Sequence, residues 1–266
     1  MKFELGLAQT THPLDGDVIA MVRRYAQQAR MYGVDLLVFP ESLMTPFNKD
    51  PEDYRAVAEA VGGPYTTAIN AIAAEYGVWM IYTMLESSEE NQQPFNTALV
   101  VDDHGIIRGT YRKVHLFDTE QITESDRVAA GSELFQPLET PFGTIGLGIC
   151  YDLRFPEMAR IAARQGCELM IYTSAWLDGP HKVEHWRTLL QARAIENEFY
   201  VAGLSRCDPG YVGQSCIVDP WGNIIEEGGR IMELIIATID TDEIASAREA
   251  MPILAHVRND VYEKAQ

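Results

Sequence analysis

Gly143-Thr144-Ile145-Gly146-Leu147-Gly148-Ile149-Cys150-Tyr151-Asp152-Leu153-Arg154-Phe155-Pro156-Glu157 is the stretch from which the fold of this 266-residue chain can be read. Its first half sets Ile145, Leu147 and Ile149 between small residues and reads as a buried strand. The chain turns at Asp152. Pro156-Glu157 then opens a helical pattern, because the fixed φ of proline suits a first helical turn. Cys150 stands at the joint. A side chain there is held by the strand yet faces the open end of the sheet, where a nucleophile is useful. Gly143, Gly146 and Gly148 are expected to admit other backbone at close range. A cysteine beside Ile149 is otherwise most often a small buried apolar residue. That role does not call for the polar and charged run that follows it.

Helix, glycine and apolar strand recur in the same order around this stretch. Val18, Val22, Tyr25 and Ala29 make one helix face, with Asp15 or Asp17 as cap and Gly33 as stop, before a strand over Val34–Phe39. Ile69, Ile72, Ala73 and Tyr76 lead through Gly77 to a strand over Val78–Tyr82. Met158, Ile161 and Ala162 lead through Gly166 to a strand over Cys167–Tyr172. The pattern predicts an α/β fold with helices packed on sheet. A first strand over Lys2–Ala8, hairpins over Phe95–Tyr111 and Gly213–Glu226, a helix carrying Val183, Trp186, Leu190 and Ala194, and strands over Phe199–Leu204 and Leu234–Ile239 make the sheet mixed. No linker divides the chain, so residues 1–266 read as one domain. It ends in a short polar helix around Ile244, capped by Thr241 or Asp242, and an apolar tail from about residue 251 to 266 that must pack on its own domain or on a partner.

The formal net charge of −18 argues against nucleic acid or an anionic membrane as partner. Cys150, Cys167, Cys207 and Cys216 form no Cys-x-x-Cys pair, so a structural zinc is not expected. Cys207 and Cys216 could bridge a loop, but so few cysteines fit a reducing compartment. With no signal-peptide pattern and no membrane-length apolar run, the expectation is a soluble cytoplasmic protein.

Polar residues after strand ends form a short list. Glu41 follows Leu36–Pro40, Lys113 follows the second strand of the first hairpin, Cys150 follows Ile149, and Trp176 follows Met170–Ala175. The chemistry of these groups fits together. Glu41 could take the thiol proton if burial raises its pKa, and return a proton to a leaving amine. Lys113 and the backbone N–H of Tyr151 could hold the oxyanion formed when sulfur attacks an amide. On spacing alone, Glu41 fits a helix-start carboxylate as well, and Lys113 an ordinary strand-end charge. Arg154, Lys182 and Arg206 are the cations available for a substrate carboxylate, although Arg154 could equally pair with Glu157 or Asp152.

Leu37-Val38-Phe39-Pro40-Glu41, Tyr111-Arg112-Lys113-Val114-His115-Leu116-Phe117 and Gly148–Glu157 resemble, in order, the three signature motifs of the nitrilase (carbon–nitrogen hydrolase) superfamily. His185-Trp186, Arg193–Asn197, Asp219–Gly222 and Arg258–Tyr262 extend the resemblance through the chain. The resemblance implies a Glu41–Lys113–Cys150 triad and a second glutamate, Glu124, that steadies the lysine and positions substrate. It also implies a four-layer α-β-β-α sandwich, a homodimer reached by the C-terminal tail, and no cofactor or metal. Tyr151, Trp176 and Arg154 are then expected to meet substrate. Within the family the chain is most similar to ω-amidases, which hydrolyse α-keto acid ω-amides. An N-carbamoyl amide hydrolase is the near alternative, a nitrilase a further one, and a non-catalytic binding member the alternative of another class. Gln214 in Val212–Ser215, where many relatives carry histidine, and the longer loop Asp178–His185 depart from the pattern.

Overall fold

A computed structural model describes residues 1–14, 16–46, 50–88 and 93–262. The elements run β1 (Lys2–Gln9), α1 (Val18–Tyr32), β2 (Leu36–Val38), α2 (Pro51–Val57), α3 (Pro64–Tyr76), β3 (Trp79–Glu86), β4 (Phe95–Val101) and β5 (Ile107–Arg112). There follow β6 (Leu138–Thr140), β7 (Gly143–Ile149), α4 (Pro156–Arg164), β8 (Leu169–Ser174), α5 (Lys182–Asn197) and β9 (Tyr200–Ser205). The chain ends with β10 (Cys216–Val218), β11 (Ile224–Glu227), β12 (Glu233–Asp240), α6 (Thr241–Ala250) and α7 (Asn259–Tyr262). Among the described residues the strands make two sheets of six, in the orders β12-β1-β2-β3-β4-β5 and β11-β10-β9-β8-β7-β6. Each is mixed: β1, β2 and β3 are parallel, as are β7, β8 and β9, and the flanking strands are antiparallel.

The apolar runs are continuous because both faces of each sheet are covered. In β8, Leu169 and Ile171 face the other sheet while Met170 and Tyr172 face the helices. In β2, Leu36 and Val38 face inward while Leu37 meets the layer of α1 and α3. Helices α4 and α5 cover the second sheet through Ala159, Ala162, Trp186, Leu190 and Ala194. The result is the four-layer α-β-β-α sandwich. β4 reverses the direction of β3 and β5 reverses it again, so β5 delivers Lys113 at the same end as β2 delivers Glu41.

Several local expectations need correction. The strand expected over Val34–Phe39 is only Leu36–Val38, and that expected over Cys167–Tyr172 is Leu169–Ser174. Ile161 is exposed; Met158, Ala159, Ala162 and Ala163 form the buried face of α4, which ends at Arg164 with Gln165 rather than Gly166 at the cap. Asp17 caps α1 by accepting from the Ala20 N–H, whereas Asp15 lies outside the described residues. The last polar helix begins at Thr241 and is capped by Asp240, which accepts from the Asp242 N–H. Cys207 and Cys216 are free thiols. Side chains, not backbone, crowd the glycines of β7: a Cβ on Gly146 would meet the Met170 sulfur at 2.7 Å, and one on Gly148 the Tyr172 ring at 2.7 Å. Residues 263–266 of the tail lie outside the described residues. The preceding part packs Leu254 on the α4–α5 layer, where the buried Glu198 accepts from the Ile253 and Leu254 N–H groups at 3.2 and 3.3 Å. No described helix is long and apolar enough to cross a membrane.

The Tyr172 ring is fully buried, so it cannot move aside without repacking. Gly148→Ala is therefore expected to cost about 1–3 kcal/mol, with Tm falling by about 2–4 °C for each kcal/mol in a domain of this size. Thermal melting followed by circular dichroism checks this; an unchanged Tm would show that the ring has room to shift.

Candidate active site

Glu41 follows β2 in a turn, not at a helix start. The next residue, Ser42, has φ 56°, and the buried Arg206 holds its carbonyl at 2.6 Å while pairing with Asp208 at 2.7 Å. Lys113 directly follows β5. Cys150 begins a 3₁₀ turn over Cys150–Arg154 at the end of β7, with φ 49°. A left-handed conformation in a non-glycine residue is costly, and here it turns the chain sharply as it leaves the sheet. Asp152 stabilises the turn by accepting from the Ile149 N–H at 2.8 Å.

The three groups meet in one cavity, lined also by Phe117, Tyr151, Arg154, Trp176 and Lys182. Lys113 is 1% exposed and donates to Glu41 Oε1 at 2.8 Å and to both oxygens of Glu124 at 2.9 Å. Glu41 Oε1 also accepts from Asn96 Nδ2 at 2.8 Å, and Oε2 accepts from the Ala175 N–H at 2.8 Å. Glu124 lies behind the lysine and does not line this cavity. Its own Oε2 is held by the Phe117 N–H at 2.6 Å.

Electrostatics follow from these neighbours. Burial alone would lower the pKa of Lys113, but the Glu124 and Glu41 carboxylates outweigh it and hold the ammonium well above the ordinary lysine value. Burial raises Glu124, and Lys113 opposes that rise. Burial, and next the Glu41 charge, push the Cys150 thiol well above its usual value, with Lys113 pulling the other way. Burial and the Glu41 charge thus favour the neutral thiol, which lies beside a carboxylate held by three donors. That arrangement suits proton transfer on attack rather than a preformed thiolate.

Of the three cations proposed from sequence, Arg154 and Lys182 line the cavity, and Arg206 serves the Ser42 turn instead. Arg154 pairs with neither Glu157 nor Asp152; its guanidinium lies 4.6 Å from the Trp176 ring centroid. Lys182 Nζ lies 5.1 Å from the Phe117 ring and 6.0 Å from Trp176. Among the described residues neither cation makes an ion pair with a carboxylate. Burial and then the Arg154 charge lower the pKa of Lys182. Asn96 was missed in the sequence, although a buried amide in the apolar run Phe95–Val101 is itself a signal, because it must find a partner. The Ala175 N–H carries no sequence signal at all. No group of three or more His, Cys, Asp or Glu among the described residues is arranged to hold a metal ion.

Comparison with known proteins identifies the family. A carbon-nitrogen hydrolase family model matches residues 7–249. The omega-amidase of Xenopus tropicalis is 32% identical, over 98% of this chain and 97% of that protein. The deaminated glutathione amidase of Bos taurus is 32% identical over 89% of this chain and 76% of that protein. A solved structure of a glutamate-to-glutamine variant of the amidase from Nesterenkonia sp. AN1, with acrylamide added at its active-site cysteine, superposes with a TM-score of 0.84. It is 25% identical and covers 99% of this chain and 100% of that one. A match over nearly its full length, on both sequence and fold, establishes that this chain belongs to the carbon–nitrogen hydrolase family and is a hydrolase of carbon–nitrogen bonds other than peptide bonds.

Proposed function

We propose that the protein is an amidase of ω-amidase type, acting through a thioester on Cys150. The Cys150 sulfur attacks the amide carbonyl as Glu41 takes its proton. The Lys113 ammonium and the Tyr151 N–H stabilise the oxyanion. If one lysine N–H is shared between the Glu124 oxygens and another goes to Glu41, the third is left for that oxyanion. Collapse breaks the carbon–nitrogen bond, and Glu41 returns the proton to the departing ammonia. Water then adds to the thioester with Glu41 again as base, releasing the acid and the thiol. Glu124 anchors the lysine from behind.

The observation that carries the substrate class is the pair of cations, Arg154 and Lys182, in the same cavity as Cys150 with no carboxylate partner among the described residues. Two adjacent positive charges repel, and a bound anion relieves that repulsion. A small amide with a carboxylate at its far end supplies that anion, and the Trp176 and Phe117 faces flank its stem. The similarity to the omega-amidase of Xenopus tropicalis and to the amidase from Nesterenkonia supports the same reading. Four free thiols fit a reducing, cytoplasmic setting. The partner we propose besides substrate is a second copy of the chain: Met251, Val261 and Tyr262 of the tail are 60%, 47% and 58% exposed.

The following outcomes are expected. Purified enzyme releases ammonia from small dicarboxylic monoamides. Cys150→Ala abolishes this, and Glu41→Gln slows it by about 10²–10⁴-fold. Release of carbon dioxide with ammonia from carbamoyl amines, and not from the amides, would favour the N-carbamoyl reading. Arg154→Met and Lys182→Met each lower kcat/KM for an anionic amide by roughly 10–100-fold, the loss of one charge-assisted hydrogen bond, mainly through KM, and leave a neutral amide such as butyramide nearly unaffected. Equal losses on both substrates would remove the carboxylate role. Deleting the chain from Met251 onward halves the mass measured by light scattering; an unchanged mass would place the interface elsewhere.

A further inference from the structure

The two groups that must face one another across the reacting carbonyl, Lys113 and Cys150, belong to different sheets. Much of what joins those sheets is an apolar interface, and such contacts resist separation but carry little direction. The backbone of Lys113 is fixed only within its own surroundings: its N–H donates to the Asn96 carbonyl at 2.9 Å and its carbonyl accepts from Gly131 at 2.8 Å. Neither bond relates the lysine to the cysteine. Among the described residues, the hydrogen bonds that join Tyr111 and residues 113–117 to residues 149–155 all end on one carboxylate, Asp152. Its Oδ2 accepts from the Tyr111 hydroxyl at 2.7 Å and from the Ile149 N–H at 2.8 Å. Its Oδ1 accepts from the His115 ring Nδ1 at 2.8 Å and from the His115 N–H at 3.2 Å.

We propose that Asp152 and His115 form a positioning pair that sets Lys113 against Cys150 across the two sheets, a role that rests on the amidase reading above. Tyr111 and His115 stand two residues to either side of Lys113, and Ile149 and Asp152 bracket Cys150. One fully buried carboxylate therefore clamps both catalytic segments. Aspartate is suited to this because all four of its partners are donors; an asparagine would turn an N–H toward one of them. The His115 ring is fixed in turn by stacking on Phe155, with centroids 3.6 Å apart and planes 9° from parallel. Its side chain is 28% exposed and does not line the cavity, so it acts through Lys113 and not on substrate.

The test compares His115→Ala with His115→Asn in the full-length protein. Both lose the stacked ring, but asparagine keeps an N–H donor close to the place of Nδ1. Two quantities are read: kcat and KM on an anionic amide, and the rate at which iodoacetamide alkylates Cys150, followed by mass of the Cys150 peptide. His115→Ala is expected to lose about 10–100-fold in kcat, the scale of an ångström-level misplacement, with KM little changed. Its Cys150 alkylation slows because the displaced ammonium no longer favours the thiolate. His115→Asn recovers most of both. Wild-type rates in His115→Ala, a loss in His115→Asn as large as in His115→Ala, or a change confined to KM would each overturn the proposal. If the wild-type enzyme hydrolyses no amide, the amidase reading fails, and the alkylation rates of the two variants still decide the role of His115.

Discussion

The ammonium of Lys113 is buried between two carboxylates, and the candidate site is arranged around that constraint. An isolated charge in such a place would be prohibitively costly, and deleting one partner of a buried pair typically costs about 3–5 kcal/mol. The lysine therefore requires both Glu41 and Glu124. Those residues come from separate stretches, one after β2 and one from a 3₁₀ turn beyond β5. Stability and chemistry use the same contacts here. The lysine keeps its charge because of the glutamates, and Glu41 is held in one orientation because the lysine, Asn96 and the Ala175 N–H leave it no other.

Orientation also rests on polar pins between sheets that otherwise meet through apolar side chains. Glu41, carried by the first sheet, accepts from the Ala175 N–H after β8 of the second. Arg206, after β9, holds the Ser42 carbonyl beside Glu41. Gln9 at the end of β1 accepts from both the backbone and the hydroxyl of Ser215, at 2.9 and 2.8 Å. With Asp152 these bonds gather at the end of the sandwich where the cavity opens. Two of the left-handed non-glycine residues, Ser42 and Cys150, each store on the order of 1–3 kcal/mol. They stand beside these pins, which supply the surroundings that such backbone strain needs in order to persist.

Charge is distributed to matching effect. The chain carries a formal −18, yet the cavity presents Arg154 and Lys182 beside the thiol. At physiological ionic strength, surface charges are screened beyond roughly 8 Å. The acidic exterior is thereby screened from the pocket, where the Arg154 guanidinium lies over Trp176 and Lys182 Nζ lies near Phe117.

The sequence by itself determined the helices α1, α3 and α5, both hairpins, and the placing of Glu41, Lys113 and Cys150 after strand ends. These features are written in local spacing: an apolar stripe at helical period, a left-handed glycine at Gly33 or Gly77, and a turn after an apolar run. The resemblance, carried by three ordered motifs, added the four layers. What only the tertiary structure decided was long-range. A strand buried on both faces shows no alternation, so neither its sheet nor its ends can be read from its own residues, and Leu36–Val38 and Leu169–Ser174 shift accordingly. Ile161 and Ala159 differ in burial because of what α5 covers, not because of their own hydrophobicity. Arg154, Lys182 and Arg206 are equivalent as cations in a sequence; two line the cavity and the third holds a turn. Asn96 and the Ala175 N–H reach Glu41 across 55 and 134 residues of chain. A partner at that separation is chosen by how two sheets pack, and packing is a property of the whole surface of each sheet, which no local window of sequence contains.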